Sequence, residues 1–99
     1  MVRHVVLMRF RQSSPPGTGA AAVQGLQALA AEIPEIQAMS TGLDLGVVPN
    51  GCDLALVVDF ASSADYLVYA HHPAHLRVVE ELIDPFVVQR ERAQIAVPG

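Results

Sequence analysis

The chain has 99 residues, the length of one domain, and a formal net charge of −4. Its six basic residues are all arginine and lie scattered, which argues against nucleic acid or an anionic membrane surface as a partner. Apolar residues make up 52% of the chain, yet no apolar run is long enough to cross a bilayer. The apolar excess instead calls for a second buried surface, an interface with another copy of the chain. The single cysteine, Cys52, cannot form an intrachain disulfide, which fits a reducing compartment. The apolar stretch Val5–Met8 is closed by Arg9 and is too short for a signal peptide, so a cytoplasmic protein is expected.

In chain order, Val2 to Phe10 reads as a strand with apolar residues on both faces, the mark of a central strand. Gln12 to Gly19 (QSSPPGTG) is a loop by composition, and Thr18 or Gly19 can cap the next helix. From Ala20 to Ile33, the spacing of Val23, Leu26, Leu29, Ala30 and Ile33 predicts an amphipathic helix that Pro34 stops. Ile36 to Leu45 reads as a weaker strand, and a turn comes after it at Pro49-Asn50-Gly51.

Leu54 to Phe60 (LALVVDF) is the strongest strand and again reads as central. Ser62, with Asp65 three residues on, forms a helix start for Ser63–Ala70. That helix breaks at His71-His72-Pro73. A further helix begins at Pro73, since proline is favoured at the first helical position, and runs to Asp84-Pro85. Gln89 to Val97 is the last strand, and its charges suit an edge.

The order β-α-β-β-α-β is the ferredoxin-like split βαβ arrangement in a single α+β domain. It predicts a four-stranded antiparallel sheet with its helices on one face. The other face would carry Val5, Leu7, Ala55 and Val57 with Arg3, Arg9 and Asp59. So apolar a face predicts a homodimer in which two sheets pack together.

Three residues stand out for chemistry. His75 falls near the third position of its helix, where the helix N-terminus disfavours the imidazolium and leaves a neutral base. Tyr69, across the kink, could hydrogen-bond an enolate or polarise a carbonyl. His4 shares one strand face with Val6, Met8 and Phe10. Each has a structural alternative: His75 as an organiser of the helix start, Tyr69 as a core aromatic, and His4 as a satisfied strand-end histidine. His71, His72 and His75 are dense, but Pro73 divides them. No HExxH or CxxC motif is present, so neither a metal nor a cofactor is implied.

Arg3-His4-Val5-Val6-Leu7, Glu32-Ile33-Pro34, Asp53-Leu54-Ala55-Leu56-Val57 and His72-Pro73-Ala74-His75-Leu76 together resemble the stress-responsive A/B barrel (Dabb) family. The resemblance covers essentially the whole chain. It implies a dimeric α+β barrel with the helices outside and a pocket between sheet and helices. Most members have no assigned reaction, but one is a polyketide cyclase that closes a ring by aldol chemistry. By that likeness His75 would be the base, Tyr69 its acid partner and His4 a pocket residue. Two further pocket positions fall on Leu26 and Leu54, which make this pocket more apolar. Val6, Met8 and His72 complete the expected lining. The expected ligand is a small apolar or aromatic carbonyl compound, bound with or without cyclase- or isomerase-type turnover. Cofactor-free oxygenases with a similar dimeric barrel offer a third, weaker possibility.

Overall fold

Two strands with apolar side chains on both faces can be covered on both sides, and they take the centre of the sheet. A computed structural model describes all residues, Met1–Gly99. The elements are β1 (Val2–Phe10), α1 (Thr18–Glu32), β2 (Ala38–Leu43), β3 (Leu54–Phe60), α2 (Ser63–His71), α3 (Pro73–Val78) and β4 (Val87–Ala96). The sheet is antiparallel in the order β2-β3-β1-β4. This is the ferredoxin-like α+β fold, and no helix is long and apolar enough to cross a membrane.

Register assigns the two faces. His4 lies opposite Val58, Val6 opposite Leu56 and Met8 opposite Leu54. All six are buried, and the five apolar ones form the core with Leu26 and Leu29 of α1, Ile33 just after it, and Tyr69. Val5 lies opposite Val57, Leu7 opposite Ala55 and Arg3 opposite Asp59 on the other face, which no helix covers. There Leu7 is 41% exposed and Ile95, across from Arg3, 52%. Arg3 clamps Asp59 with two hydrogen bonds, Nε to Oδ1 at 2.8 Å and Nη2 to Oδ2 at 2.9 Å. Those bonds hold the Asp59 carboxyl below its usual range.

Local chemistry explains where the boundaries differ from expectation. Gly17, not Thr18 or Gly19, is the N-cap of α1, at φ 86° in the left-handed region that glycine tolerates. The Thr18 hydroxyl is occupied, donating to the Pro15 carbonyl at 2.7 Å. The second strand is shorter than Ile36–Leu45. Ile36 N–H is drawn into a turn with the Ile33 carbonyl, and Asp44 Oδ2 accepts from Gly46 N–H and ends the strand. Ser62 caps α2 as expected, accepting from Asp65 N–H at 3.2 Å.

The last helix is not uniform. After Val78 it widens into a π-helical turn, Val79–Ile83, and Asp84 N–H bonds the Val79 carbonyl at 2.8 Å. Such π turns are frequent at functional sites. α1 approaches this turn closely: a Cβ on Gly25 would come within 2.5 Å of Leu82.

Candidate functional site

The kink between α2 and α3 builds the site. Pro73 opens α3 at its first turn, and His72 caps it by accepting Ala74 N–H on Nδ1 at 3.0 Å. His75 thereby folds back over the end of α2. Its Nδ1 sits 3.2 Å from the Ala70 carbonyl, one of the acceptors a helix end leaves open. A carbonyl oxygen can only accept, so Nδ1 carries the proton and Nε2 keeps a free lone pair.

The Tyr69 ring lies 4.2 Å from the His75 ring, centroid to centroid. Tyr69 is fully buried, and its hydroxyl has no hydrogen-bond partner within the chain. An unpartnered buried hydroxyl costs about 1–3 kcal/mol, so its retention here needs a reason. His4 enters from β1. Its Nδ1 accepts from the Gln94 side-chain amide at 3.0 Å, which leaves its proton on Nε2, and its ring lies 4.8 Å from Tyr66.

These side chains meet at one cavity of about 190 Å³ between sheet and helices. His4, Tyr69 and His75 all line it, with Val6, Met8 and Leu26 among its apolar walls. Its volume exceeds the roughly 150 Å³ of a cavity known to hold benzene. Leu54 and His72 are not among the lining. Leu54 is buried beside a shallow surface hollow that includes Leu43, Leu45 and Cys52, and Leu56 stands at the cavity in its place. His72 serves as the cap of α3.

Several lining residues escaped the sequence reading. Tyr66 precedes Tyr69 by three residues, one helical turn, and so shares its face. Arg90 and Arg92 also border the cavity. Register makes this legible: Arg90 lies opposite Met8, Arg92 opposite Val6 and Gln94 opposite His4, so all three share the helix-covered face. Val79 and Ile83 come from the π turn, which no side-chain periodicity signals.

A larger hollow of about 330 Å³ opens beside the start of α1, among Arg9, Arg11, Ser14 and Asp53. Its arginines are engaged structurally, Arg9 with the Gly51 carbonyl at 3.0 Å and Arg11 with the Pro85 carbonyl at 2.7 Å. It brings no base and nucleophile together. No three His, Cys, Asp or Glu side chains converge in a geometry that could hold a metal ion.

Burial dominates the electrostatics of the cavity. It is the main cause that lowers the pKa of His75, partly offset by the bond to Ala70 and reinforced by Arg90 and His72. Burial likewise lowers that of His4, helped by Arg92 and His75. It pushes the Tyr69 phenol well above its usual value, with Tyr66 adding to the effect, so Tyr69 stays a neutral donor. Both histidines then bind protons more readily unfolded than folded. Their contribution to stability is complete above the unfolded value near 6.5 and declines as pH falls below it. Urea unfolding at pH 7.5 and pH 5.5 should give a lower midpoint at pH 5.5. In His4→Gln and His75→Gln that difference should shrink.

A split β-α-β-β-α-β chain with one uncovered sheet face and a His-Tyr cavity beneath its helices defines a ferredoxin-like α+β protein. The chain belongs to the stress-responsive A/B barrel domain (Dabb) family, whose pattern it matches over residues 2–95. Among solved structures it is similar to a dimeric ferredoxin-like protein of unknown function from Thermobifida fusca, at 29% identity and a TM-score of 0.89, over 97% of this chain and 90% of that one. A hydroxynitrile lyase from Passiflora edulis shares the fold at 23% identity and a TM-score of 0.83, over 98% and 93% of the two chains. A Dabb family protein from Mesorhizobium loti does so at 17% identity and a TM-score of 0.79, over 99% and 97%. No curated protein matches the chain.

Proposed function

We propose that two copies of this chain pack their uncovered sheet faces into a barrel, and that each protomer binds a small apolar or aromatic carbonyl compound and moves a proton on it. The observation that carries this is the pairing of a buried, unpartnered Tyr69 hydroxyl with a neutral His75 whose Nε2 lone pair is free, at one cavity. His75 Nε2 would take a proton from the carbon next to the carbonyl. The electron pair of that C–H bond would move onto the carbonyl oxygen as an enolate. Tyr69 would donate a hydrogen bond to that oxygen, a stabilisation that grows as charge develops there. His4, with its proton on Nε2, is a second donor to the cavity.

The enolate has two outlets. In a ligand with a C=C bond at the β,γ position, the enolate is conjugated with that bond and can take the proton back from His75 at the far (γ) carbon, an isomerisation. It can also attack a second carbonyl of the same molecule, forming the C–C bond of a ring while the resulting alkoxide takes the proton back from His75. The dimeric ferredoxin-like relatives support the assembly, and the lone cysteine is consistent with a reducing, cytoplasmic setting.

The test is solvent exchange. Phenylacetone incubated with the protein in D₂O should lose its methylene proton signal faster than in buffer alone. Binding without faster exchange would leave a ligand carrier and no catalyst. The absence of both binding and exchange would contradict the cavity assignment.

A further inference from the structure

The cavity holds a feature that proton transfer at a ketone does not use. Three side-chain atoms in the chain are buried with no partner: Ser14 Oγ, Tyr69 Oη and Arg90 Nε. Two of the three belong to residues that line the same cavity. Arg90 is held in place by Asp84, which accepts from Nη2 at 2.8 Å, and this leaves the buried Nε without an acceptor. Arg92, two residues along the same strand face, also lines the cavity. The chain's two ion pairs are Arg3–Asp59 and Arg90–Asp84, so Arg92 has no acidic partner. No acidic residue lines the cavity itself; Asp84 reaches Arg90 from outside the lining, and Arg92 is unopposed. The remaining walls are largely apolar, so the buried Nε of Arg90 is poorly screened and attracts an acceptor strongly, while Arg92 stands at the exposed rim.

We propose that the ligand carries a carboxylate in addition to its carbonyl group, with the carboxylate held by Arg90 and Arg92 and the carbonyl oxygen by Tyr69. This rests on the proton-transfer reading of the same cavity and names the substrate class: a small keto acid or a compound of equivalent charge and shape. Such a ligand satisfies both orphaned donors at once. Arginine suits the task because its planar fork matches a carboxylate. A neutral ketone of the same bulk fills the apolar walls and reaches Tyr69 but leaves Arg90 Nε without an acceptor and Arg92 to water. The site therefore discriminates between the two, because a site built to pair a polar group rejects the analogue that lacks it.

Phenylpyruvate and phenylacetone make the comparison. Both have a benzyl group on a carbonyl, and a methyl group in phenylacetone replaces the carboxylate. Calorimetric titration at low ionic strength should give at least about tenfold tighter binding of phenylpyruvate, in line with a charge-assisted pair. Added salt should erode that preference. In Arg92→Gln, whose side chain makes no ion pair in the fold, the ratio of the two affinities should fall severalfold while the melting temperature stays unchanged. Equal affinities for the two compounds, or a preference untouched by Arg92→Gln, would overturn the carboxylate assignment and leave the ketone site standing. Failure of both compounds to bind would remove the cavity as a carbonyl site altogether.

Discussion

His75→Gln should fold, still bind phenylacetone, and lose about 10²-fold or more of its exchange rate, the usual worth of one positioned base. Glutamine is close in size, and its amide N–H can replace Nδ1–H as donor to the Ala70 carbonyl. What it lacks is a basic lone pair where Nε2 stood. The alternative role for His75 is purely architectural, a clasp between α3 and the end of α2. A clasp that fails costs about 1 kcal/mol or more of stability and leaves catalysis proportionate to folded protein. Exchange rate per folded molecule, read beside the urea midpoint, separates the two. A variant with full exchange per folded molecule would make His75 a clasp.

The second large effect belongs to the uncovered face of the sheet. Val57 sits mid-sheet opposite Val5, with Leu7 and Ala55 as the next pair along. In a dimer that packs these faces together, Val57→Asp places an unpaired carboxylate in the shared core, at a cost of several kcal/mol. Sedimentation of the native chain should give about twice 10.6 kDa. The variant should sediment as a monomer or unfold. A folded, dimeric Val57→Asp would show that the partner lies elsewhere. In the isolated protomer the same change would be mild, because Val57 is only half-buried on a face that no helix covers.

The architecture was legible because its determinants are local or periodic. Apolar side chains on both faces marked β1 and β3 as central, Ser62 and Pro73 marked helix starts, and strand alternation separated His4, Val6 and Met8 from Val5 and Leu7. His4, Tyr69 and His75 were singled out by residue type and position, and the fold brings all three to one cavity. The features that escaped depend on relations between elements. Leu54 and Leu56 have the same parity on β3, and only the placement of the helices decides which one borders the cavity. The charges of β4 read as protection of an edge. Their alternation carries a second meaning, since Arg90, Arg92 and Gln94 point with His4 and Met8 and only the intervening residues turn away. The π turn at Val79–Ile83 arises where α1 and α3 pack closely at Gly25, a contact between distant segments.

The proton transfer depends on a neutral His75 that presents a free Nε2 to the cavity. Nitrogen-15 NMR of the four histidines across pH tests it directly. His75 should titrate below the usual value near 6.5 and show the Nδ1–H tautomer above its pKa, while His4 should show the Nε2–H tautomer. A His75 that titrates at or above 6.5, or that carries its neutral proton on Nε2, would contradict the assignment of this residue as the base.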